Sequence, residues 1–578
     1  MATRWIENNQ TSEKFPFWTR ANVGEVLPRP PSPLGWDLVW ENGVLPGWRD
    51  CGVQRLGFAE HEVSQTRPEV VGLFGGYAYL GATLNRVFGH RAPGLTASTI
   101  DDAYFGDHPD VPPITIHDWW DAPDTAEFLG NWMGWVMTTT EQPELESDRD
   151  VAEAARADRP DYGSMSVAEL AEFAHSKIPD LRRMFNQHIH QSACATIGPG
   201  VIGAVAEAVG DPTLTLKIIG AVGGVDSAAP SYVMWDLSRT VAASPTLTAM
   251  FEAGTDTFAA SLAASDHEDA ATFATAIADF LQRFGSRGPN EWDIHSHVWE
   301  TKPELVFAAI DRMRLTGDDQ SPLRHHAERE QERETIIADL TEALAEDPET
   351  QGQFLAGVSS AARFVPGRER SKTSIIKVIH EVRMATWEIG KRLVAAGGAD
   401  EINDVCLLFA DELDQAVSDP PWARTTITQR QAHYDHLMPL EPPFIFNGEC
   451  PPIETWPRKD ARSVDMLAAG ATLQGVPGSS GTYRGVARVV LDPGDPMALD
   501  PGDILVAPHT DPAWTPLFVA AGAVVVDVGA ALSHAIIVCR ELGLPCVVSV
   551  TDATKSIPDG AEIEVDGNTG AVTIISTP

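Results

Sequence analysis

A proline-rich stretch divides this chain into two parts with different hydrophobic patterns. Residues 441–462 contain five prolines, at positions 442, 443, 451, 452 and 457. Because proline lacks a backbone N–H and restricts φ, we expect a semi-rigid linker here. Before it, residues 122–440 have helical periodicity, whereas the residues after it form short β-branched runs separated by Pro-Gly and Asp-Gly turns. The sequence therefore predicts a multidomain protein with a large, mainly α-helical domain (1–440), a linker (441–474) and a small β/α domain (475–578).

The helical part has local signatures of its own. Ser166 and Glu169 form a capping-box pattern that opens an amphipathic stretch toward Cys194. Residues 328–344 and 374–395 are two further long helical candidates. The first 115 residues are rich in Pro, Gly and Trp, and are expected to form loops with short strands and helices.

The charge balance excludes two classes of partner. The chain has 42 Lys and Arg against 82 Asp and Glu, a formal net charge of −40. A chain with this negative charge repels nucleic-acid backbones and anionic membranes. We therefore expect no nucleic-acid and no membrane partner. The N-terminal residues lack an apolar signal segment, and no uninterrupted apolar run is long enough to span a bilayer. The six cysteines have neither metal-binding spacing nor a dense disulfide framework, which predicts reduced thiols and a cytoplasmic, soluble protein.

One histidine stands between a predicted buried strand and a predicted helix. Residues 521–528 are mostly apolar and β-branched, and Gly529 with two alanines then predicts a tight turn. Ser533 and His534 then fall at the start of a predicted helix that runs to Leu542, where Gly543 and Pro545 stop it. A histidine there lies beside backbone N–H groups that favour anions, and a neutral imidazole can attack phosphorus and hold the resulting phosphate. The local pattern fits a histidine that only caps the helix equally well.

The last hundred residues carry motifs in a specific order and spacing. They are Gly481-Thr-Tyr-Arg-Gly485, Pro501-Gly-Asp-Ile-Leu505, Thr510-Asp-Pro-Ala-Trp514, Ser533-His534-Ala535 and Arg540-Glu-Leu-Gly-Leu-Pro545. Together they resemble the swivelling phosphohistidine domain of the phosphoenolpyruvate-utilising enzymes, which include phosphoenolpyruvate synthase, pyruvate phosphate dikinase and rifampicin phosphotransferase. The resemblance implies that His534 carries the phosphoryl group and that Ser533 and Gly529 belong to its phosphate site. Ala530 departs from the pattern, because many members of the family have a second glycine there.

The helical part resembles the acceptor-substrate domain of rifampicin phosphotransferase-like proteins. The matching stretches are Thr19 to Pro28 with Pro31 to Leu34, Phe284 to Ile294 with Trp299, and Arg368-Glu-Arg-Ser-Lys372. Ser286 stands where the family usually has a histidine, and Val298 where it usually has an arginine. Roles that depend on those two groups are therefore not carried over.

Several charged residues are candidates for the acceptor site. Phosphoryl transfer requires positioned cations on the transferred oxygens, and Arg368 and Lys372, four residues apart, would share one face of a helix. We predict that both are catalytic; the alternative is a solvated basic face. Arg287 and Glu291 are candidates for substrate binding or for a structural ion pair. Arg383 is a weaker candidate, and its ordinary interpretation is a solvated side chain.

The tryptophans and two histidine pairs are further candidates for a binding site. Fourteen of the sixteen tryptophans precede the linker, which fits either an aromatic-lined site for a planar acceptor or ordinary core packing. The pairs His188/His190 and His295/His297 invite a metal interpretation. Residues two apart in a helix point to different faces, so the first pair is a poor chelate, and no metal site is predicted.

The phosphate donor is expected on another polypeptide. The family normally takes phosphate from ATP in an ATP-grasp domain, and the synthase and dikinase also have a phosphoenolpyruvate-binding barrel. We find neither module in this sequence, nor a Gly-x-x-x-x-Gly-Lys-Ser/Thr loop. We therefore expect ATP and Mg²⁺ to bind an ATP-grasp partner subunit, an organisation similar to the phenylphosphate and 4-alkylphenyl phosphate synthases.

The predicted function is that of one component of an ATP-dependent phosphotransferase. His534 would pass its phosphoryl group to the hydroxyl of a small aromatic alcohol, a phenol or an alkylphenol. The small domain would swing between donor and acceptor, with Gly475, Gly478 and Gly481 as hinges. One alternative acceptor is a macrolide or a rifamycin-like ansamycin antibiotic. Another alternative is a non-catalytic phosphorelay protein.

Overall fold

The fold was obtained as a computed structural model, which describes residues 11–63, 69–106, 108–459, 466–491, 493, 499–511, 514–529 and 533–578. Two compact units divide the chain. The first comprises Met1–Cys194, Asn290–Ser296 and Arg370–Arg462, and the second comprises Ala195–Pro289, His297–Glu369 and Ser463–Pro578. The units do not follow the order of the chain, because a short loop and the C-terminal part of a long helix join the first unit.

Helices dominate the described part of the chain before residue 440, and three further described helices lie after it. In chain order the α-helices are α1 Val23–Val26, α2 Pro33–Gly35, α3 Leu45–Arg55, α4 Ala82–Arg91, α5 Ala97–Phe105, α6 Pro123–Thr138, α7 Pro143–Ala157, α8 Val167–Ser176, α9 Ile178–Ala208, α10 Leu214–Ile218, α11 Ala229–Ala243, α12 Pro245–Glu252, α13 Phe258–Ala263, α14 Glu268–Phe284, α15 Glu304–Arg314, α16 Pro322–Ala343, α17 Pro348–Ala395, α18 Leu413–Ser418, α19 Pro420–Leu437, α20 Thr515–Ala520, α21 His534–Leu542 and α22 Ala553–Ser556. A π-helical segment, Trp36–Val44, joins α2 to α3. Short 3₁₀ turns are Asp118–Trp120, Tyr162–Ser164, Asp318–Gln320, Ile402–Leu407, Ala410–Glu412 and Ile453–Thr455.

The observed helices confirm the helical periodicity predicted for residues 122–440. The capping box opens α8, since Ser166 Oγ accepts from Glu169 N at 3.3 Å and Glu169 Oε2 accepts from Ser166 N at 2.7 Å. The two long candidates fall within α16 and α17, apart from one residue at the end of the first. No helix in the described ranges combines the length and apolarity needed to cross a bilayer.

The strands form two sheets, one in each unit. They are β1 Phe17–Thr19, β2 Val71–Phe74, β3 Tyr77–Gly81, β4 Ile445–Asn447, β5 Thr472–Gln474, β6 Val476–Ser479, β7 Thr482–Val489, β8 Ile504–Ala507, β9 Ala523–Val526, β10 Cys546–Val548, β11 Glu562–Asp566 and β12 Ala571–Ser576. The first unit has an antiparallel sheet of order β2-β3-β1-β4. The second has a sheet of order β5-β12-β11-β7-β8-β9-β10-β6, in which β7 to β10 are parallel neighbours and the flanking pairs are antiparallel. The predicted fold class, a large mainly helical part and a small β/α domain, is confirmed.

Part of the predicted semi-rigid linker forms a strand of the first sheet. Its residues 445–447 are strand β4 at the edge of the first sheet, where Trp18 of β1 pairs with Phe446. An edge strand tolerates flanking prolines because one side of it needs no backbone donors. Strand β5, at 472–474, already belongs to the second sheet. Residues 460–465 of the predicted linker lie outside the described residues.

The parallel strands of the small domain are buried on both faces. Leu505 and Val524 point into a cluster that also includes residues of α20 and α21, together with Trp235 of α11 and Phe307 of α15. Residues of the opposite face, such as Val506 and Val525, pack against a separate apolar cluster. Within the second unit, the small domain is therefore packed against the helices on the side that carries α21.

Candidate functional site

The predicted strand before His534 and the predicted helix after it are both present. Strand β9 ends at Val526, and α21 begins at His534 with Ser533 as its N-cap residue in extended conformation. The helix ends at Gly543, whose φ of 71° is the left-handed conformation that favours glycine. The turn alanines at 530 and 531 lie outside the described residues.

Two threonine hydroxyls flank the imidazole of His534. Nδ1 lies 3.3 Å from Thr510 Oγ1, and Nε2 lies 3.3 Å from Thr515 Oγ1. All three side chains are buried, His534 being 5% exposed, and the Phe518 ring lies 5.9 Å from the imidazole. A hydroxyl can either donate or accept, so this arrangement orients the ring in either neutral tautomer. The motif that begins at Thr510 is visible in the sequence, but the sequence alone assigned no role to either threonine.

Ser533 places a hydroxyl at the start of the same helix. Its Oγ is buried and has no hydrogen-bond partner among the residues that the structure describes, although it occupies the capping position. Gly529 leaves room for it, since a Cβ there would lie 3.2 Å from Ser533 Oγ and 2.8 Å from Val548 Cβ. A buried hydroxyl beside the positive end of a helix is suited to donate to a phosphoryl oxygen.

Asp527 anchors the segment between β9 and the turn. Its carboxylate accepts from Thr554 N at 2.8 Å and also from Thr554 Oγ1. Burial raises the pKa of Asp527 to about 7, while the two bonds from Thr554 act in the opposite direction. The residue therefore ties the end of the strand to α22. Sequence reasoning missed it, because the contact joins residues 27 positions apart.

The helix face that carries His534 contacts the helical part of the second unit. Ile537, one turn on, packs with Val225 and Ala228. Glu541, a further turn on, accepts from Val222 N at 3.2 Å and pairs with His326 Nδ1 at 3.3 Å. The hydrogen bond from Glu541 raises the pKa of His326. His534 is therefore buried at the start of a helix whose same face packs on the helical part of the second unit.

Arg368 and Lys372 both lie on α17, as the spacing predicted, but neither is solvated. Each side chain is 12% exposed. Arg368 pairs with the neighbouring Glu369, and Lys372 Nζ lies 3.9 Å from Glu291 Oε1. The alternative of a solvated basic face is therefore wrong. Arg368 belongs to the second unit, and Lys372 and Glu291 belong to the first.

Arg383 is buried in the first unit and contacts the loop at 290–296. It is fully buried and donates from Nη2 to the carbonyl oxygens of Glu291 at 2.8 Å and Asp293 at 3.1 Å. The expectation that it is solvated is wrong, because it holds the loop that carries Glu291. Arg287 is also buried, and its carbonyl accepts from Trp299 N at 2.8 Å in the second unit.

The two histidines of the pair His188/His190 have separate partners. His190 Nε2 accepts from Trp132 Nε1 at 2.9 Å, its Nδ1 lies 3.1 Å from Arg55 Nη1, and burial lowers its pKa to about 3. His188, two residues earlier, instead lies beside Ser371. Across the described ranges, no group of three or more His, Cys, Asp or Glu side chains is arranged to hold a metal ion.

Two segments of the chain match models of known protein families. Residues 187–369 match the rifampicin phosphotransferase fourth domain, and residues 499–570 match the mobile domain of PEP-utilising enzymes. The first range ends one residue after Arg368, and the second contains His534. The resemblance that the sequence motifs indicated is thereby confirmed.

Curated relatives align with about half of the chain. An uncharacterized protein of Mycobacterium bovis is 32% identical over 308 residues, which are 53% of this chain and 32% of that protein. The rifampicin phosphotransferase of Streptomyces sviceus is 32% identical over 308 residues, covering 52% and 34% of the two chains. That of Bacillus subtilis is 30% identical over 302 residues, with the same coverage. The matched part of this chain thus spans about a third of the length of these relatives.

Proposed function

We propose that this chain belongs to the PEP-utilising enzymes and is a phosphotransferase component that carries a phosphoryl group on His534 and transfers it to a hydroxyl acceptor. The observation that carries the proposal is the setting of His534. The imidazole stands at the N-terminus of α21, between two threonine hydroxyls and next to the buried hydroxyl of Ser533. That setting combines an oriented nucleophile with donors for phosphoryl oxygens.

Two displacements complete the proposed cycle. The lone pair of an unprotonated ring nitrogen attacks the phosphorus of the donor, forming an N–P bond as the P–O bond to the leaving nucleotide breaks. In the second step the acceptor oxygen attacks the phosphorus and the N–P bond breaks. Its electrons return to the imidazole, and the hydroxyl proton passes to a base. The threonine at the other ring nitrogen holds the imidazole in place throughout.

ATP and Mg²⁺ are proposed to bind an ATP-grasp module on a partner subunit. The sequence has no Gly-x-x-x-x-Gly-Lys-Ser/Thr loop. The side chains in the described ranges also have no cluster of acidic, histidine or cysteine groups suited to a metal ion. We therefore assign no residue of this chain a step through Mg–ATP.

A phenol or alkylphenol is the acceptor that we propose. Support comes from the aromatic side chains of the first unit, where Trp36 and Trp40 stack with ring centroids 6.0 Å apart and Trp40 lies 5.9 Å from Trp292. A rifamycin-like antibiotic is the second candidate, because relatives of this chain are named rifampicin phosphotransferases. A phosphorelay without a small-molecule acceptor is the third.

The proposal is tested by isolating the phosphorylated protein. With a co-expressed ATP-grasp protein and Mg-ATP, the chain should gain one acid-labile phosphate that intact-mass analysis detects and that His534→Asn lacks. The chain alone should gain none from Mg-ATP. Adding phenol, 4-ethylphenol or rifamycin SV then shows which hydroxyl removes the label. Phosphate that persists on His534→Asn would refute the assignment of the carrier, and a label that no acceptor removes would favour the relay.

A further inference from the structure

A second polar cluster lies entirely within the first unit. It is formed by α9, the loop 290–296 and the part of α17 after residue 370. His188 Nδ1 lies 2.9 Å from Ser371 Oγ, and Lys372 Nζ lies 3.9 Å from Glu291 Oε1. His188, Ser371 and Glu291 are buried. The carriage of phosphate on His534 uses none of these three residues.

Aromatic rings surround the histidine of this cluster. The His188 ring lies 5.6 Å from Phe185 and 6.2 Å from Trp292. Behind them, Trp48 lies 5.9 Å from Phe185, and Trp40 lies 5.9 Å from Trp292. A small number of polar groups within aromatic walls is the composition typical of sites that bind small organic ligands.

Two glutamines beside His188 have unsatisfied amide groups. Gln191 is fully buried, and neither its Oε1 nor its Nε2 has a hydrogen-bond partner among the described residues. The same holds for Oε1 of Gln187, which is also buried. Gln187 and Gln191 are four residues apart on α9, and His188 is three residues before Gln191, so the three occupy adjacent positions of one helix face. Buried amides are normally hydrogen-bonded, and these three atoms therefore point to a polar ligand.

We infer that this cluster binds the phosphoryl acceptor, a hydroxylated aromatic compound, and that His188 is the general base for its hydroxyl. The inference rests on the function proposed above and supplies the base that the second displacement needs. The aromatic rings suit a planar body, and the Gln191 amide can both donate to and accept from a hydroxyl group.

The second ring nitrogen of His188 can take the proton of the acceptor hydroxyl. When Nδ1–H of His188 donates to Ser371 Oγ, the lone pair is on Nε2. Nε2 takes the acceptor proton as the acceptor oxygen attacks the phosphorus, the N–P bond breaks, and the electrons return to the imidazole of His534. Lys372 supplies a cation for the transferred oxygens. His188 is left as an imidazolium and returns its proton to solvent.

The test measures the loading of His534 with phosphate separately from the transfer of that phosphate to phenol. Phosphoramidate, which phosphorylates histidine chemically, is used to load His534 with ³²P without the partner subunit, and His534→Asn serves as the loading blank. The loss of label to phenol is then followed between pH 6 and 9. The variant is His188→Gln, and the matched control is His190→Gln, a buried histidine on the same helix that has other partners. Phenol binding is followed by tryptophan fluorescence in the wild type and in Gln191→Ala.

We expect His188→Gln to load normally and to transfer about 10²-fold more slowly, because positioned general bases contribute about 10² to 10⁴ in rate. The variant should also lose the rise of transfer with pH that the wild type shows. His190→Gln should transfer like the wild type, and Gln191→Ala should weaken phenol binding at least fivefold. An unchanged rate and pH profile in His188→Gln removes the base assignment. Unchanged phenol binding in Gln191→Ala removes the site. A wild-type chain that does not load at His534, yet binds phenol through Gln191, contradicts the carrier function and retains the site.

Discussion

At the scale of single residues, Thr510 and Thr515 are predicted to orient the nucleophile. Each hydroxyl lies 3.3 Å from a different nitrogen of His534. Replacing either by valine keeps the volume and removes the hydrogen bond, which typically changes a free energy by about 1 kcal/mol. We therefore expect loading of His534 to slow roughly fivefold in Thr510→Val and Thr515→Val. The control is Thr569→Val, whose hydroxyl binds Asp566 at the surface of the small domain. Loading at the wild-type rate in both variants would show that the ring is held by other groups.

Arg368 and Lys372 are predicted to act only in transfer to the acceptor. Each cation lost from a transferring phosphoryl group costs on the order of 10² to 10³ in rate. Arg368→Ala and Lys372→Ala should load His534 at the wild-type rate and transfer the label to phenol more slowly by that factor. Single-turnover chase of labelled protein measures both steps. Lys391→Ala, an exposed lysine of the same helix, is the control. If either variant transfers the label at the wild-type rate, that cation has no role in transfer and serves only in its ion pair.

At the scale of elements, the junction of β9 with α22 is predicted to make stability depend on pH. Burial raises the pKa of Asp527 to about 7, so the folded state favours the protonated carboxyl. The stabilisation from this group is fully present below its ordinary pKa and is lost as the pH rises through about 7. Thermal unfolding of the small domain should therefore occur at a lower temperature at pH 8 than at pH 6. Asp527→Asn, which stays neutral, should flatten this dependence. An equally steep dependence in the variant would assign the effect to another group.

The glycines predicted as hinges have a packing role within the small domain. Gly478 lies in β6, where a Cβ would come 2.7 Å from Ile536 Cγ1 on α21. A Cβ on Gly475 would lie 2.6 Å from the carbonyl oxygen of Val548. The absence of side chains at these positions lets β6 lie close to β10 and to the helix that carries His534. Their location inside the sheet gives a physical reason for glycine that does not involve domain movement.

At the scale of the whole molecule, we predict that the contacts of the small domain within the second unit break during the proposed cycle. In that proposal His534 meets a donor on a partner and an acceptor in this chain, and it cannot contact both at the same time. The docked arrangement is held by Arg312, which pairs with Asp500 at 2.9 Å, and by the pair His326 and Glu541. A short bismaleimide joining cysteines in Arg312→Cys/Asp500→Cys should therefore allow at most one of the two half-reactions. The two single-cysteine variants, treated in the same way, are the controls. A crosslinked protein that completes the cycle at the normal rate would exclude swivelling from the mechanism.

The sequence by itself determined the features that depend on neighbours along the chain. The strand before His534 and the helix after it follow from a β-branched run and the stop at Gly543, all within a short segment. The capping box at Ser166 and the helical setting of Arg368 and Lys372 are local in the same sense. Periodicity and turn residues act within a few positions, so they are visible without a fold.

Only the tertiary structure decided which distant groups meet. β4 pairs with β1 across more than four hundred residues, which turned part of the proline-rich stretch into an edge strand. Arg383 is buried because the loop at 290–296 packs on α17, and its carbonyls take the place of water around the guanidinium. Thr515 reaches His534, and Ser371 reaches His188, only once helices and strands have packed. Such contacts depend on the closure of long loops and on shape complementarity, and no local pattern records either.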